Sequence, residues 1–161
     1  MLPFTAVNLV DELHAVSAAL ARAAIPYAVC GGVAVTIHGA TRSTKDIDLL
    51  IAPEDLARAL DAVRPLGFQF PALPLVFDEG TSNERHVQRV SKIAGAEHLV
   101  LDLLLAHASF AGFLEGAVEV SLPEGSLVVV SRDVLLRMKR LAGRAQDLAD
   151  IEKLTSAGDV S

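Results

Sequence analysis

The sequence predicts one α/β domain, in which amphipathic helices alternate with short apolar strands. Leucine and valine recur at three- and four-residue spacing over residues 8–24, as on one face of a helix. Two pairs of apolar runs are each joined by a glycine-containing turn, which is the pattern of a β-hairpin. The hydrophobic fraction of the 161 residues is 52%, which is enough to fill the core of a single domain over residues 1–161.

The remaining elements follow from local signals along the chain. Pro26 ends the first helix and Gly39 ends a short second one. Pro53 and the acids that follow it begin a third helix, and Ser131 begins the first of two C-terminal helices. Turn-forming residues over 71–83 predict a mobile loop that faces a substrate. Strands are predicted at residues 27–30, 46–51, 67–70, 86–93, 98–105, 117–122 and 126–130.

Composition excludes several classes of protein. The chain has 14 basic and 20 acidic residues, and its net charge of −6 argues against binding of extended duplex DNA. Cys30 is the only cysteine, so the sequence allows no internal disulfide. The N-terminal residues lack the pattern of a signal peptide, and no apolar run has membrane-spanning length. We therefore expect a cytoplasmic protein without a membrane partner.

Two aspartates stand together after a glycine pair. Asp46 and Asp48 are two residues apart in a predicted strand, so their side chains point to the same face. Carboxylates this close repel each other unless a positive charge lies between them, and a divalent cation such as Mg²⁺ provides one. The backbone N–H groups of Gly31 and Gly32 lie near a helix start, where they suit a phosphate. The stretch predicts a metal beside a phosphate.

A third aspartate interrupts an apolar strand. Asp102 lies between leucines, where a carboxylate costs several kcal/mol unless it has a partner. One interpretation is a structural pair with an arginine. We favour a third carboxylate that meets Asp46 and Asp48 across adjacent strands. His38, alone on a short helix, is expected to be packed rather than catalytic.

The loop before Asp46 is cationic, and its role stays open at this point. Arg42 and Lys45 either balance the carboxylates, or Arg42 holds a phosphate of the ligand.

These motifs together resemble the nucleotidyltransferase superfamily related to DNA polymerase β. They are the Gly31-Gly32 pair, the stretch TKDIDLL at 44–50 and Asp102 within an apolar strand. The segments LRMKRL at 136–141 and GRAQDLADI at 143–151 are similar to the helices that close many members. The resemblance is greatest to small bacterial members, the AbiEii-like toxins and the minimal nucleotidyltransferases. Many members have Gly-Ser in place of Gly31-Gly32, so phosphate contacts here would rest on the backbone.

The resemblance implies a mixed β-sheet flanked by helices, with C-terminal helices over residues 131–157. It implies Mg²⁺ or Mn²⁺ as cofactor and a nucleoside triphosphate, such as ATP, as substrate. The implied catalytic and metal-binding residues are Asp46, Asp48 and Asp102. The implied nucleotide-binding residues are Gly31, Gly32, Arg42, Thr44 and Lys139.

The implied activity is transfer of a nucleoside monophosphate to a hydroxyl of an RNA 3′ end, a protein side chain or a small molecule. A toxin–antitoxin or phage-defence system, with a partner protein, is the implied setting. The alternative is a catalytically inactive protein of this fold that acts as an antitoxin, nucleotide sensor or binding partner. One interpretation is that Lys139 and Arg144 reach the triphosphate. The other is that Arg144 forms a surface pair with Asp147 or Asp150. The two aspartates are expected to be structural.

Overall fold

The computed structural model describes residues 8–40 and 44–157. Within these residues the chain forms five α-helices and an eight-stranded sheet. The helices are α1 (Leu9–Arg22), α2 (Gly31–Ile37), α3 (Leu56–Val63), α4 (Arg132–Ala142) and α5 (Ala145–Ala157). The strands are β1 (Tyr27–Cys30), β2 (Asp46–Ile51), β3 (Phe68–Pro71), β4 (Leu75–Phe77), β5 (Arg85–Ala94), β6 (Glu97–Leu105), β7 (Val118–Leu122) and β8 (Gly125–Val129).

The sheet is mixed, as the resemblance implies. Its strand order is β3-β5-β6-β2-β1-β8-β7, and β4 pairs with β5. Strand β2 is parallel to β6 and antiparallel to β1, while β1 is parallel to β8. The two predicted hairpins are β5–β6 and β7–β8. Strand β2 therefore lies near the middle of the sheet, with a hairpin on either side.

Capping residues set the helix ends near their predicted positions. The Asn8 side chain accepts hydrogen bonds from the backbone of Val10 and Asp11, at 3.0 and 3.3 Å, and begins α1. The Ser131 hydroxyl accepts from the backbone of Val134 at 3.1 Å and begins α4. Gly143, with φ of +63°, ends α4 and separates it from α5.

The central strands carry the core because both of their faces are covered. Leu49 and Leu50 of β2 and Leu101 and Leu103 of β6 are completely buried. Leu49 follows Asp48 directly, and Leu101 and Leu103 flank Asp102. Burial of this apolar surface fixes the strands, and so fixes where the aspartates stand.

The expected loop over residues 71–83 contains a strand, so that prediction is wrong at its centre. β4 pairs antiparallel with β5, with Leu75 opposite Val87 and Phe77 opposite Arg85. Three residues between Pro74 and Asp78 are too short for an alternating pattern, and only pairing with β5 makes them a strand.

In the part of the chain that the structure describes, no helix is both long and apolar enough to cross a membrane.

Candidate active site

The three predicted site aspartates lie together at one end of the central strands. Asp48 of β2 is directly opposite Asp102 of β6 in their parallel register. Asp46 precedes Asp48 by two residues, so it shares the same face of β2. All three line a cavity of about 270 Å³, whose other walls include residues of α4 and α5. The structure thus brings the three carboxylates to one cavity, and their catalytic role stays a prediction.

Asp102 has an arginine partner. Arg89 of β5 lies opposite it in the β5–β6 hairpin. The Nε of Arg89 donates to Oδ1 of Asp102 at 2.8 Å, and Nη2 donates to Oδ2 at 3.0 Å. Both carboxylate oxygens therefore face the guanidinium. This is the arginine pair that the sequence analysis left open as one interpretation of Asp102. The same aspartate also lies opposite Asp48.

Arg89 interacts electrostatically with all three aspartates of the cavity. Its hydrogen bond to Asp102 raises the pKa of Arg89 above the usual value, although partial burial acts in the opposite direction. The charges of Asp102, Asp46 and Asp48 add to the increase. Arg89 is thus a fixed cation within electrostatic range of all three aspartates.

Gly31 makes room for Asp48. Gly31 is the first residue of α2 and has a left-handed backbone, with φ of +66°. The sequence suggested that its missing side chain lets a phosphate approach. The structure instead places the Asp48 carboxylate in that space. Contact of a phosphate with the backbone of Gly31 or Gly32, both of which line the cavity, stays a prediction.

A buried charge cluster from α4 and α5 forms another wall. The Nζ of Lys139 lies 3.3 Å from Oδ1 of Asp147 and 3.0 Å from Oδ2 of Asp150. These side chains are only 7%, 1% and 0% exposed. Lys139 and Asp147 also line the cavity. Lys139 is therefore at the predicted site, but its ammonium is already held by two buried carboxylates.

The interpretation of Arg144 and Asp147 as a surface pair is wrong for the aspartate. Asp147 accepts hydrogen bonds from Nε of Arg144 at 2.7 Å and from the backbone N of Arg144 at 3.1 Å. The second bond reaches back to the helix start, as in a capping box, and draws the carboxylate inward. The Arg144 side chain remains 74% exposed and lines the cavity. Asp147 contacts two cations at the cavity wall, and its structural role stays a prediction.

Opposing effects set the pKa of Asp147. Burial on its own would raise it. The hydrogen bond from Arg144 and the positive charges of Lys139 and Arg144 outweigh burial and lower the pKa below its usual value. The carboxylate therefore stays ionised at neutral pH and keeps both cations in place.

An apolar section of the cavity adjoins the carboxylates, and the sequence did not predict it. Leu75 of β4, Val87 of β5 and Leu104 of β6 stand side by side in the register of these strands. Phe77 of β4 and Phe110 also line the cavity. No sequence signal pointed to this wall because β4 itself was not recognised.

Arg85 joins this apolar wall to the helices. Its Nη1 donates to the backbone oxygen of Leu141 in α4 at 2.8 Å and to Oδ2 of Asp78 at 3.0 Å. Its guanidinium lies 5.4 Å from the centre of the Phe77 ring. The contact fixes the distance between β5 and the end of α4 across the cavity.

The remaining predicted residues have separate outcomes. Thr44 lines the cavity, and its hydroxyl lies 3.4 Å from the backbone N of Asp46. Arg42 lies outside the described residues. His38 is packed, as expected, with Nε2 lying 2.9 Å from the backbone oxygen of Val130.

The carboxylates suit a divalent cation in their chemistry. Oxygen ligands are those that Mg²⁺ and Mn²⁺ prefer. Within residues 8–40 and 44–157, however, no group of three or more His, Cys, Asp or Glu side chains is arranged to hold a metal ion. The assignment of Asp46, Asp48 and Asp102 as metal ligands stays a prediction.

The fold itself is shared with solved structures. TM1012 from Thermotoga maritima, described as a candidate nucleotidyltransferase, is 12% identical, with a TM-score of 0.60 over 91% of this chain and 92% of that chain. ANT(2″)-Ia in complex with adenylyl-2″-tobramycin is 18% identical, with a TM-score of 0.55 over 92% and 89%. The protein has the nucleotidyltransferase fold.

A third structure with this fold is LnuA, a lincosamide antibiotic adenylyltransferase with bound lincomycin. It is 15% identical to this chain, with a TM-score of 0.55 over 92% of this chain and 97% of LnuA. A scan against protein-family models and a search of curated protein sequences each found no match. The nucleotidyltransferase fold is thus recognised through structure, as the motif resemblance indicated.

Proposed function

We propose that the protein is a metal-dependent nucleotidyltransferase, which moves a nucleoside monophosphate from a nucleoside triphosphate to a hydroxyl. The observation that carries the proposal is the register of β2 and β6, which places Asp48 beside Asp102 with Asp46 on the same face. These carboxylates line one cavity in a chain of nucleotidyltransferase fold. A phosphoryl-transfer site needs such an arrangement of charges around a space for the reacting groups.

In the proposed reaction the acceptor oxygen forms a bond to the α-phosphorus while the bond from that phosphorus to the β-phosphate oxygen breaks. Pyrophosphate leaves, and the proton of the acceptor passes to a cavity carboxylate or to water. Asp46 and Asp48 would hold Mg²⁺ or Mn²⁺, and a bound cation would neutralise charge on the phosphates.

The cations of the cavity would hold the triphosphate. Arg85, Arg89, Lys139 and Arg144 all line it, and each pairs with at least one aspartate. Fixed cations stabilise a developing negative charge without having to reorganise. We propose Lys139, Thr44 and the backbone of Gly31 and Gly32 as nucleotide contacts, and Arg42 stays a prediction from sequence.

A small molecule is the acceptor class that we favour. The cavity is about 270 Å³, and the chain carries a net charge of −6, which disfavours a long nucleic acid. Two structures with this fold, ANT(2″)-Ia and LnuA, contain adenylyl-2″-tobramycin and lincomycin. An RNA 3′ end, a protein side chain, a toxin–antitoxin partner and a cytoplasmic location stay predictions from sequence.

The test is incubation with Mg²⁺, each of the four labelled nucleoside triphosphates and a panel of acceptors. Wild-type protein is expected to transfer label, and Asp46→Asn is expected to lose the transfer. Asp61→Asn is the matched control, because Asp61 is 68% exposed in α3 and pairs with the exposed Arg64. Equal transfer by wild type and Asp46→Asn would remove the carboxylates from the mechanism.

A second candidate is a protein of this fold that binds a nucleotide without transferring it. The pairing of Asp102 with Arg89 favours it, since one of the three expected carboxylates is already neutralised. Stabilisation of the protein by Mg²⁺ and a nucleoside triphosphate in thermal unfolding, without turnover on any acceptor class, would support this candidate over the enzyme.

A further inference from the structure

Arg89 holds Asp102 in a geometry that competes with metal binding. The two residues face each other across the β5–β6 hairpin and share two parallel hydrogen bonds, at 2.8 and 3.0 Å. Bidentate arginine–carboxylate pairs are among the strongest and most directional contacts of a carboxylate. The Asp102 side chain is 12% exposed and that of Arg89 is 42% exposed, so water screens this pair only in part.

The pair belongs to a row of charges across three strands. Arg89 of β5 is opposite Asp102 of β6, and Asp102 is opposite Asp48 of β2. A metal ion bound to Asp102 would lie close to the guanidinium, which carries the same sign of charge. Ions of like sign at such a distance repel strongly where water is partly excluded. The arginine therefore opposes a cation at Asp102, whereas Asp48 lies one strand farther from β5 and is less affected by this repulsion.

The guanidinium can supply positive charge in the cavity, as a metal ion would. Arginine has five N–H donors, and the two bonds to Asp102 use two of them. Its side chain is 42% exposed and lines the cavity. It thus presents fixed positive charge to a phosphate or an acceptor oxygen next to Asp48.

We propose that Arg89, anchored by Asp102, takes the place of a second metal ion, so that the site binds one divalent cation through Asp46 and Asp48. The inference rests on the proposed function, since it assigns the charges within that same site. Asp102 is then a positioning residue for Arg89 and not a metal ligand.

Titration of the full chain with Mn²⁺ alone, followed by the electron paramagnetic resonance signal of free Mn²⁺, tests this inference. The wild type is expected to bind one ion. Asp48→Asn is expected to weaken that binding by about tenfold or more, as loss of a ligand should. Asp102→Asn is expected to keep a single site and to weaken Mn²⁺ binding less than Asp48→Asn does, because it removes no ligand of the ion but leaves the charge of Arg89 without its partner.

Arg89→Gln provides an independent variant in case Asp102→Asn does not fold. It releases Asp102 and removes the charge that repels a cation there, so it is expected to bind Mn²⁺ about fivefold more tightly or to bind a second ion. Circular dichroism shows whether each variant is folded. Two ions in the wild type, equal losses in Asp102→Asn and Asp48→Asn, or no gain in folded Arg89→Gln would each overturn the role of Arg89. Absence of Mn²⁺ binding in wild type and all variants would instead remove the metal from the proposed function.

Discussion

The carboxylate of Asp48 occupies the space that a side chain at Gly31 would need. An ideal β-carbon built on Gly31 lies 2.0 Å from Oδ2 of Asp48, 2.7 Å from its Cγ and 2.8 Å from its Cβ. Three contacts this short mean that no rotation of the carboxylate alone relieves the overlap. A glycine at the start of α2 is thus a condition for the position of a proposed metal ligand on the neighbouring strand.

Gly31→Ala is therefore expected to reduce nucleotidyl transfer by about a hundredfold, because Asp48 has to move away from its place. Gly116→Ala is the matched control. Gly116 has a similar backbone, with φ of +76°, and nothing within 4 Å of its β-carbon position. Alanine at this position costs only the strain of a left-handed backbone, about 1 kcal/mol, so the control should keep its activity. Equal activity of both variants in the labelled-nucleotide assay would show that Asp48 does not need its observed position.

Asp147→Asn is expected to lower the free energy of unfolding by about 3 kcal/mol, since it leaves buried Lys139 with less compensation. Asp61→Asn removes an exposed pair, in which Asp61 and Arg64 are 68% and 60% exposed, and should cost less than about 0.5 kcal/mol. Urea denaturation of the two variants and the wild type measures the difference. A cost for Asp147→Asn as small as that for Asp61→Asn would contradict the buried charge cluster.

The contribution of Asp147 to the free energy of unfolding is expected to depend on pH. The pKa of Asp147 is lower in the folded protein than its usual 3.8, so its ionised form stabilises the fold. This contribution is complete above pH values near 4 and is lost as the pH falls below them, toward the lowered pKa. The advantage of wild type over Asp147→Asn in urea denaturation should therefore shrink between pH 6 and about pH 3. If the difference in free energy of unfolding between wild type and Asp147→Asn stayed constant over that range, ionisation of Asp147 would not be its source.

Phe77→Ala is expected to raise the KM for the acceptor or the nucleotide by about tenfold, because an aromatic contact in the cavity contributes about 1–2 kcal/mol. Phe77 is 43% exposed and lines the cavity beside Leu75. Phe70 offers a matched control, since it is 53% exposed on β3 and does not line the cavity. Unchanged kinetic constants in Phe77→Ala would mean that the apolar wall does not contact either substrate.

Local patterns were sufficient to predict most elements and the three aspartates. Strand β2 was predicted at its observed bounds, because Ile47, Leu49 and Leu50 form the apolar pattern of a buried central strand. The pair between Arg89 and Asp102 was also within reach of the sequence. Counting back from the turn at Gly95 places these two residues opposite each other in the hairpin.

Other parts of the site depend on tertiary contacts that local patterns do not contain. Strand β4 exists only through its pairing with β5, so the apolar wall was missed. The three-residue spacing of Arg144 and Asp147 occurs in exposed ion pairs and in buried ones alike. Only the packing of α5 against α4 shows that Asp147 is buried under Lys139.

The most direct test of the central claim compares label in the α-phosphate with label in the γ-phosphate of the preferred nucleoside triphosphate. The wild type with Mg²⁺ is expected to label the acceptor from the α-phosphate only and to release pyrophosphate, while Asp48→Asn does neither. Label on the acceptor from the γ-phosphate, or the same α-label with Asp48→Asn, would contradict nucleotidyl transfer at this site.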